Sequence, residues 1–191
     1  MDAPLVRLLE AVFYEEYPEE SQPLSEAWGL SKAKYGSAAL RPAWEAHTAR
    51  YSPLMHYPWG ETRAALERLA GMTEGDPHDG FIMEYTNPVD GGPVMPTISC
   101  CIQLLRPGQR TQAHRHTSSA VYHVVEGRGS SVVGGQQLDW EAKDVFCVPG
   151  WAFHKHSNLS ATEPAVLFSF TDIPVLRSLD LFREQPQAAG Q

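Results

Sequence analysis

The chain has 191 residues, of which 42% are hydrophobic and 20% charged. These are globular values, and the length suits one domain with a sizeable core plus some extra elements, which excludes a disordered or fibrous chain. With 15 basic and 23 acidic residues the net charge is −8, so the positive footprint that nucleic-acid binding requires is missing and that partner class is excluded.

Residues 4–14 carry Leu5, Leu8, Leu9 and Phe13 at helical spacing and predict a short amphipathic helix. Glu15 to Gly60 differs in kind. Pro18, Pro23, Pro42, Pro53 and Pro58 interrupt it, while Trp28, Trp44 and Trp59 are scattered among polar residues. Prolines at this density stop regular elements, and aromatics argue against disorder. The expectation is an irregular arm anchored by tryptophans that plug a core.

Residues 61–70 predict a clearer helix, with Gly71 as its C-cap. Asp76-Pro77-His78-Asp79-Gly80 is turn chemistry. From there the pattern turns to strands: 81–85, 97–105, 121–126, 130–133, 136–140, 144–148, 154–156 and 165–170, with Gly134-Gly135 as a hairpin signal. Seven or eight short strands with Gly/Pro turns mean a mainly β sandwich or small barrel. Residues 174–182 predict a short C-terminal helix, and 183–191 read as a frayed tail. The expected organisation is an N-terminal helical and irregular arm at 1–75, a β-barrel at 76–185 and a tail at 186–191.

No apolar run approaches membrane-helix length, and the N-terminus lacks a basic segment followed by an apolar one, so no membrane partner is expected. Cys100, Cys101 and Cys147 are odd in number, and adjacent cysteines cannot face each other along a strand. They read as small buried apolar residues of a protein in a reducing cytoplasm.

Four of the eight histidines form two clusters about forty residues apart, His114-Arg115-His116 and His154-Lys155-His156. Imidazole is the commonest metal ligand, and His-x-His on a strand puts both rings on one face. Arg115 is thereby sent to the other face. His156 shares the face of His154. Tyr122 and His123 alternate, and Tyr122 is the one expected to point inward. His47, His56 and His78 lie in arm or turn segments and read as solvated.

Gly108, then His114 and His116 six and eight residues on, then Gly127, resemble the first cupin motif. Pro149, His154 and Asn158 resemble the second, with Lys143 standing where that motif begins with glycine. The chain thus resembles the cupins, which implies a double-stranded β-helix or jelly-roll barrel with a metal inside. Further segments resemble the gentisate 1,2-dioxygenase family, which includes salicylate and 1-hydroxy-2-naphthoate dioxygenases. They are Tyr57-Pro58-Trp59 to Leu69, Asn87-Pro88, Gly91-Gly92, Pro96-Thr97-Ile98, Val124 to Gly129, Asp144-Val145-Phe146 and Leu167 to Val175.

That resemblance implies a non-haem Fe(II) enzyme, an extradiol-type ring-cleaving dioxygenase acting with O2 on an aromatic hydroxy acid. The carboxylate and ortho hydroxyl of the substrate would chelate the iron. His114, His116 and His154 are the implied ligands, with His156 and Tyr122 in catalytic or orienting roles. Ala120 stands where cupins usually carry a glutamate, so no carboxylate joins the set. Three histidines also suit Ni, Cu, Zn or Mn. Family enzymes are typically bicupins, and this chain resembles the C-terminal half. Their catalytic cupin has an Arg where this chain has Tyr122. The alternative is a non-catalytic metal-binding cupin, a structural half or small-molecule binder. A homo-oligomer is expected, because the aromatic, proline-rich arm has little core of its own.

Overall fold

Short strands separated by Gly and Pro build two facing antiparallel sheets in the computed structural model, which describes residues 27–37, 40–46, 51–54 and 56–188. The helix expected over 4–14 lies outside the described residues. The backbone divides into Met1–Leu30 and Ser31–Gln191, and the barrel belongs to the second unit. Among the described residues two helices come first, α1 (Leu30–Tyr35) and α2 (Trp59–Met72). Strands β1 (Phe81–Glu84), β2 (Ser99–Leu105), β3 (His114–His116), β4 (Ala120–Glu126) and β5 (Arg128–Val133) follow. Then come β6 (Gln136–Glu141), β7 (Val145–Val148), β8 (His154–Asn158), β9 (Ala165–Thr171), helix α3 (Ile173–Ser178) and β10 (Glu184–Pro186). One sheet has the order β1-β2-β9-β4-β7, the other β10-β3-β8-β5-β6. This is the expected jelly roll, mainly β with few helices among the described residues. No helix among the described residues is long and apolar enough to cross a membrane.

Period-two alternation sorts the side chains. Ala120, Tyr122 and Val124 face in from β4, while Val121 and His123 face out. Between the sheets Leu105, Tyr122, Val124, Trp140, Val148 and Leu167 form the apolar core. Outside the first sheet Leu66 of α2 packs on Phe81, Ile102, Leu104 and Val166. Its full burial contributes about 2 kcal/mol. Both central residues of the Gly134-Gly135 turn take positive φ, 57° and 85°, as a two-residue hairpin between β5 and β6 requires.

Several expectations are corrected. Trp28 and Trp44 are 93% and 84% exposed, so they plug no core; indoles in a proline-rich stretch follow no face that packing could select. Gly71 lies inside α2, and Thr73 caps the helix by donating its N–H to the Leu69 carbonyl. Helix α3 ends at Ser178, because Asp180 takes a left-handed φ of 53°. Cys147 is exposed on β7, whereas Cys100 and Cys101 are partly buried; all three are free thiols. Finally, 183–188 is not frayed, and 189–191 lie outside the described residues. Glu184–Pro186 pairs antiparallel with His114–His116, and flanking bonds run from Thr117 N to Arg183 O and from Gln187 N to Ala113 O, each 2.9 Å. Pro186 is tolerated because this is an edge strand.

Asn158 ties the barrel end together. Its buried amide nitrogen shares its two hydrogens among the carbonyls of Leu105 (3.1 Å), Arg106 (3.0 Å) and Glu163 (2.9 Å). Its oxygen accepts from the Ser160 N–H at 2.9 Å. Asn158→Ala strips partners from four backbone groups, two of them buried, and should cost about 3 kcal/mol in urea unfolding; a loss below about 1 kcal/mol would show that other contacts hold this end. Lys143, at the motif's glycine position, sits at φ 85°. Lys143→Gly relieves that conformation and should leave stability unchanged or raise it by up to about 1 kcal/mol, read by the same unfolding titration.

Candidate metal centre

Strand β3 lies between β10 and β8, and His114 stands directly opposite His154. Alternation turns His114 and His116 inward and Arg115 outward. There the Arg115 guanidinium sits between the rings of Trp151 (4.3 Å) and Phe153 (4.4 Å) and donates to Gln185 Oε1. His114, His116 and His154 are 2%, 8% and 1% exposed. One ligand nitrogen from each lies within 4.8 Å of the others.

The outer nitrogen of each ring is already engaged. His114 Nδ1 lies 3.2 Å from Glu184 Oε1, His116 Nδ1 2.9 Å from the Ser118 carbonyl and His154 Nδ1 3.0 Å from the Ala152 carbonyl. Carbonyls and carboxylates only accept, so each Nδ1 carries the proton and each Nε2 presents a bare lone pair to the interior. The consequence is visible at His114: its Nε2 lies 2.9 Å from His154 Nε2 and 3.8 Å from Asp79 Oδ1. Lone pairs this close, with no hydrogen between them, are the donor set of a cation site, and a divalent metal held by three imidazoles fits it.

Charge and burial agree with this. Burial lowers the pKa of all three imidazoles below the ordinary range, for His154 to about 3, so they are neutral at pH 7 and need shed no proton to bind a metal. Burial, then the carboxylates of Asp76 and Glu184, raise Asp79 to about 6. Ala120, buried on β4, leaves no carboxylate at the motif position.

Deeper in the barrel, His156 of β8 is fully buried and follows His154 on the same face, ring centroids 5.8 Å apart. Tyr122 is 5% exposed, lies 4.8 Å from the His156 ring and stacks on Phe146 at 5.0 Å. Burial lowers His156 to about 3 and raises Tyr122, so both are uncharged at neutral pH.

Three residues near the site escape sequence reasoning: His78, Asp79 and Glu184. His78, expected to be solvated, is half-buried and stacks parallel to His114 with centroids 5.2 Å apart. The Asp76–Gly80 turn that carries it is held in place by Gln112 N–H donating to the Pro77 carbonyl and Gln103 Nε2 donating to the Asp79 carbonyl. Only the density of polar residues in 76–79 could have drawn attention to it. Glu184 had no signal, being in a segment without apolar pattern.

Residues 101–171 match the Cupin domain family. The chain is 44% identical over 191 residues to 5-aminosalicylate 1,2-dioxygenase of Comamonas sp, covering 99% of this chain and 50% of that protein. It is 40% identical over 184 residues to gentisate 1,2-dioxygenase 1 of Aquipseudomonas alcaligenes, covering 96% of this chain and 52% of that one. The fold superposes on the crystal structure of salicylate 1,2-dioxygenase from Pseudaminobacter salicylatoxidans with a TM-score of 0.80 at 26% identity, over 97% of this chain and 53% of that one. The chain spans about half the length of these relatives. With its two-sheet barrel and inward-facing histidines, it belongs to the gentisate dioxygenase-like cupins.

Proposed function

We propose that this chain holds Fe(II) through His114, His116 and His154 and serves the cleavage of a hydroxylated aromatic carboxylic acid by O2, between the carboxyl-bearing and hydroxyl-bearing carbons. The observation that carries the metal reading is the convergence of bare imidazole nitrogens, at 2.9 Å for His114 and His154. Iron, when bound, supplies Lewis acidity and the one-electron chemistry that lets O2 react with an aromatic ring. The chain's own residues do the rest. Glu184 and the carbonyls of Ser118 and Ala152 fix the ring orientations. His156 and Tyr122 line the interior beside the histidines and supply hydrogen bonds to an aromatic acid, and Phe146 backs the Tyr122 ring. The reading includes association into a homo-oligomer and a cytoplasmic setting, the latter supported by three free thiols.

Tyr122 favours a second reading, a metal-binding cupin without turnover of its own. A buried neutral phenol offers one hydrogen bond and none of the charge or fork geometry that grips a carboxylate. One experiment separates the two. The purified chain, loaded anaerobically with Fe(II), should take up O2 with gentisate, salicylate or 1-hydroxy-2-naphthoate, and His154→Ala should lose both metal and uptake at least about a hundredfold. Stoichiometric Fe(II) with no uptake on any of the three would leave only the second reading.

The buried imidazoles also set a pH dependence. His154 and His156 titrate near 3 in the fold and near 6.5 when unfolded. Between those values the unfolded chain binds more protons, so stability is complete above about pH 6.5 and falls as pH drops. By pH 5 the loss is about 2 kcal/mol per group. Asp79, raised to about 6, works the other way and regains about 1 kcal/mol over the same drop, so the metal-free chain should melt on the order of 6–12 °C lower at pH 5 than at pH 7, and saturating Zn(II) at pH 7 should raise the midpoint. A flat profile from pH 7 to 5 would show these rings to be hydrated and protonatable in the fold.

A further inference from the structure

Behind His156 lies a chain of polar atoms that the binding site itself does not explain. Ser131 of β5 stands directly across from His156 in the β5–β8 register. Its Oγ lies 2.7 Å from His156 Nδ1 and 2.9 Å from Trp140 Nε1. Ser131 and His156 are 0% exposed and Trp140 5%. The indole is held over Gly129: a Cβ there would meet Trp140 ring carbons at 2.4 and 2.5 Å, so only glycine lets the ring take this place.

The direction of these bonds follows from the donor inventory. An indole N–H can only donate, so Ser131 Oγ accepts from Trp140. The hydroxyl then has one proton left to place. If His156 Nδ1 also carried a proton, Oγ would receive two N–H groups, and its own proton would be buried without an acceptor, costing about 1–3 kcal/mol. With Nδ1 bare, Ser131 donates to it and every group in the chain is satisfied. The proton of His156 then sits on Nε2, the one polar atom of the set with no partner in the structure. It belongs to the ring that faces Tyr122 at 4.8 Å and Phe146 at 6.0 Å.

We infer that Ser131, oriented by Trp140, is a positioning residue that locks His156 in the Nε2–H tautomer, so that His156 gives the bound ligand a hydrogen-bond donor and never a base. The proton bookkeeping stands by itself; the ligand rests on the functional reading above. It selects a class of contact. The atom opposite Nε2 must be an oxygen that accepts, such as a carboxylate, a carbonyl or an ionised hydroxyl, and an ammonium or amide N–H at that position is rejected because two donors would meet in a dry interior.

Long-range ¹H–¹⁵N NMR on the full chain, metal-free and loaded with Zn(II), reads the tautomer directly. The expected wild-type spectrum has His156 protonated at Nε2, with Nδ1 in the unprotonated, hydrogen-bonded range. A proton on Nδ1, or on both nitrogens, at pH 7 would overturn the inference without any variant. Ser131→Ala should shift two resonances together, His156 Nδ1 and the Trp140 indole N–H; a folded variant in which both stay put would sink the Ser131 relay. Gentisate added to the Zn(II)-loaded chain should move the His156 Nε2–H proton. Shifts at the other site imidazoles with none at His156 would overturn the donor role. No shift anywhere in the site would count against the functional reading instead, the tautomer being already decided by the ligand-free spectrum.

Discussion

Three hydrogen bonds that point away from the centre decide what the centre can do. Each imidazole commits its Nδ1–H to an acceptor in the barrel wall, on β10 for His114 and on turn carbonyls for His116 and His154. The inner nitrogens are thereby forced to present lone pairs to one another in a low-dielectric interior, where unlike charge is worth most. Much of the surrounding architecture serves those outer acceptors. Pro149-Gly150-Trp151, with Trp151 at φ 65°, turns the chain so that the Ala152 carbonyl meets His154. The Thr117–Ser119 corner brings the Ser118 carbonyl under His116. Strand β10 exists as a three-residue ladder whose contribution to the site is Glu184.

The barrel interior is divided along its length. Around Val124, Val148, Leu167 and Trp140 it is an apolar core, and around His114, His116 and His154 it is a pocket of nitrogen donors. His156, Ser131 and Tyr122 form the seam between the two. Polar atoms at such a seam must be satisfied by each other or by a guest, and the Trp140–Ser131–His156 chain does the first while leaving one N–H for the second. Tyr122 sets the character of the seam. A buried phenol stacked on Phe146 is neutral and shaped for a flat ring, whereas a guanidinium there would have made it a carboxylate clamp.

The sequence carried much of this because strand geometry is strict. A two-residue period put His114 and His116 together and sent Arg115 outward, chose Tyr122 over His123 and placed His156 behind His154; the backbone follows that alternation in each case. Gly134-Gly135 announced its hairpin because only residues tolerant of positive φ make that turn. The parts that escaped have no period to read. Glu184–Pro186 is three polar or imino residues whose strand character comes from the open edge of β3. His78 and Asp79 reach the site because their turn is bonded to Gln103 and Gln112, a long-range fact. Trp28 and Trp44 misled because an aromatic residue in an irregular stretch signals burial only when something is there to cover it.

The backbone join between β3 and β8 has a consequence for how the barrel opens. These strands share a single paired position, His114 with His154, and the main-chain bonds that flank it come from Gln109, Thr111 and Trp151 rather than from the ladder itself. An ion gripped by both strands would act as a reversible cross-link between residues forty apart in sequence, shutting a long loop in the way a disulfide does. The edge that carries these histidines is thus where a bound ion would add most to the closure of the barrel.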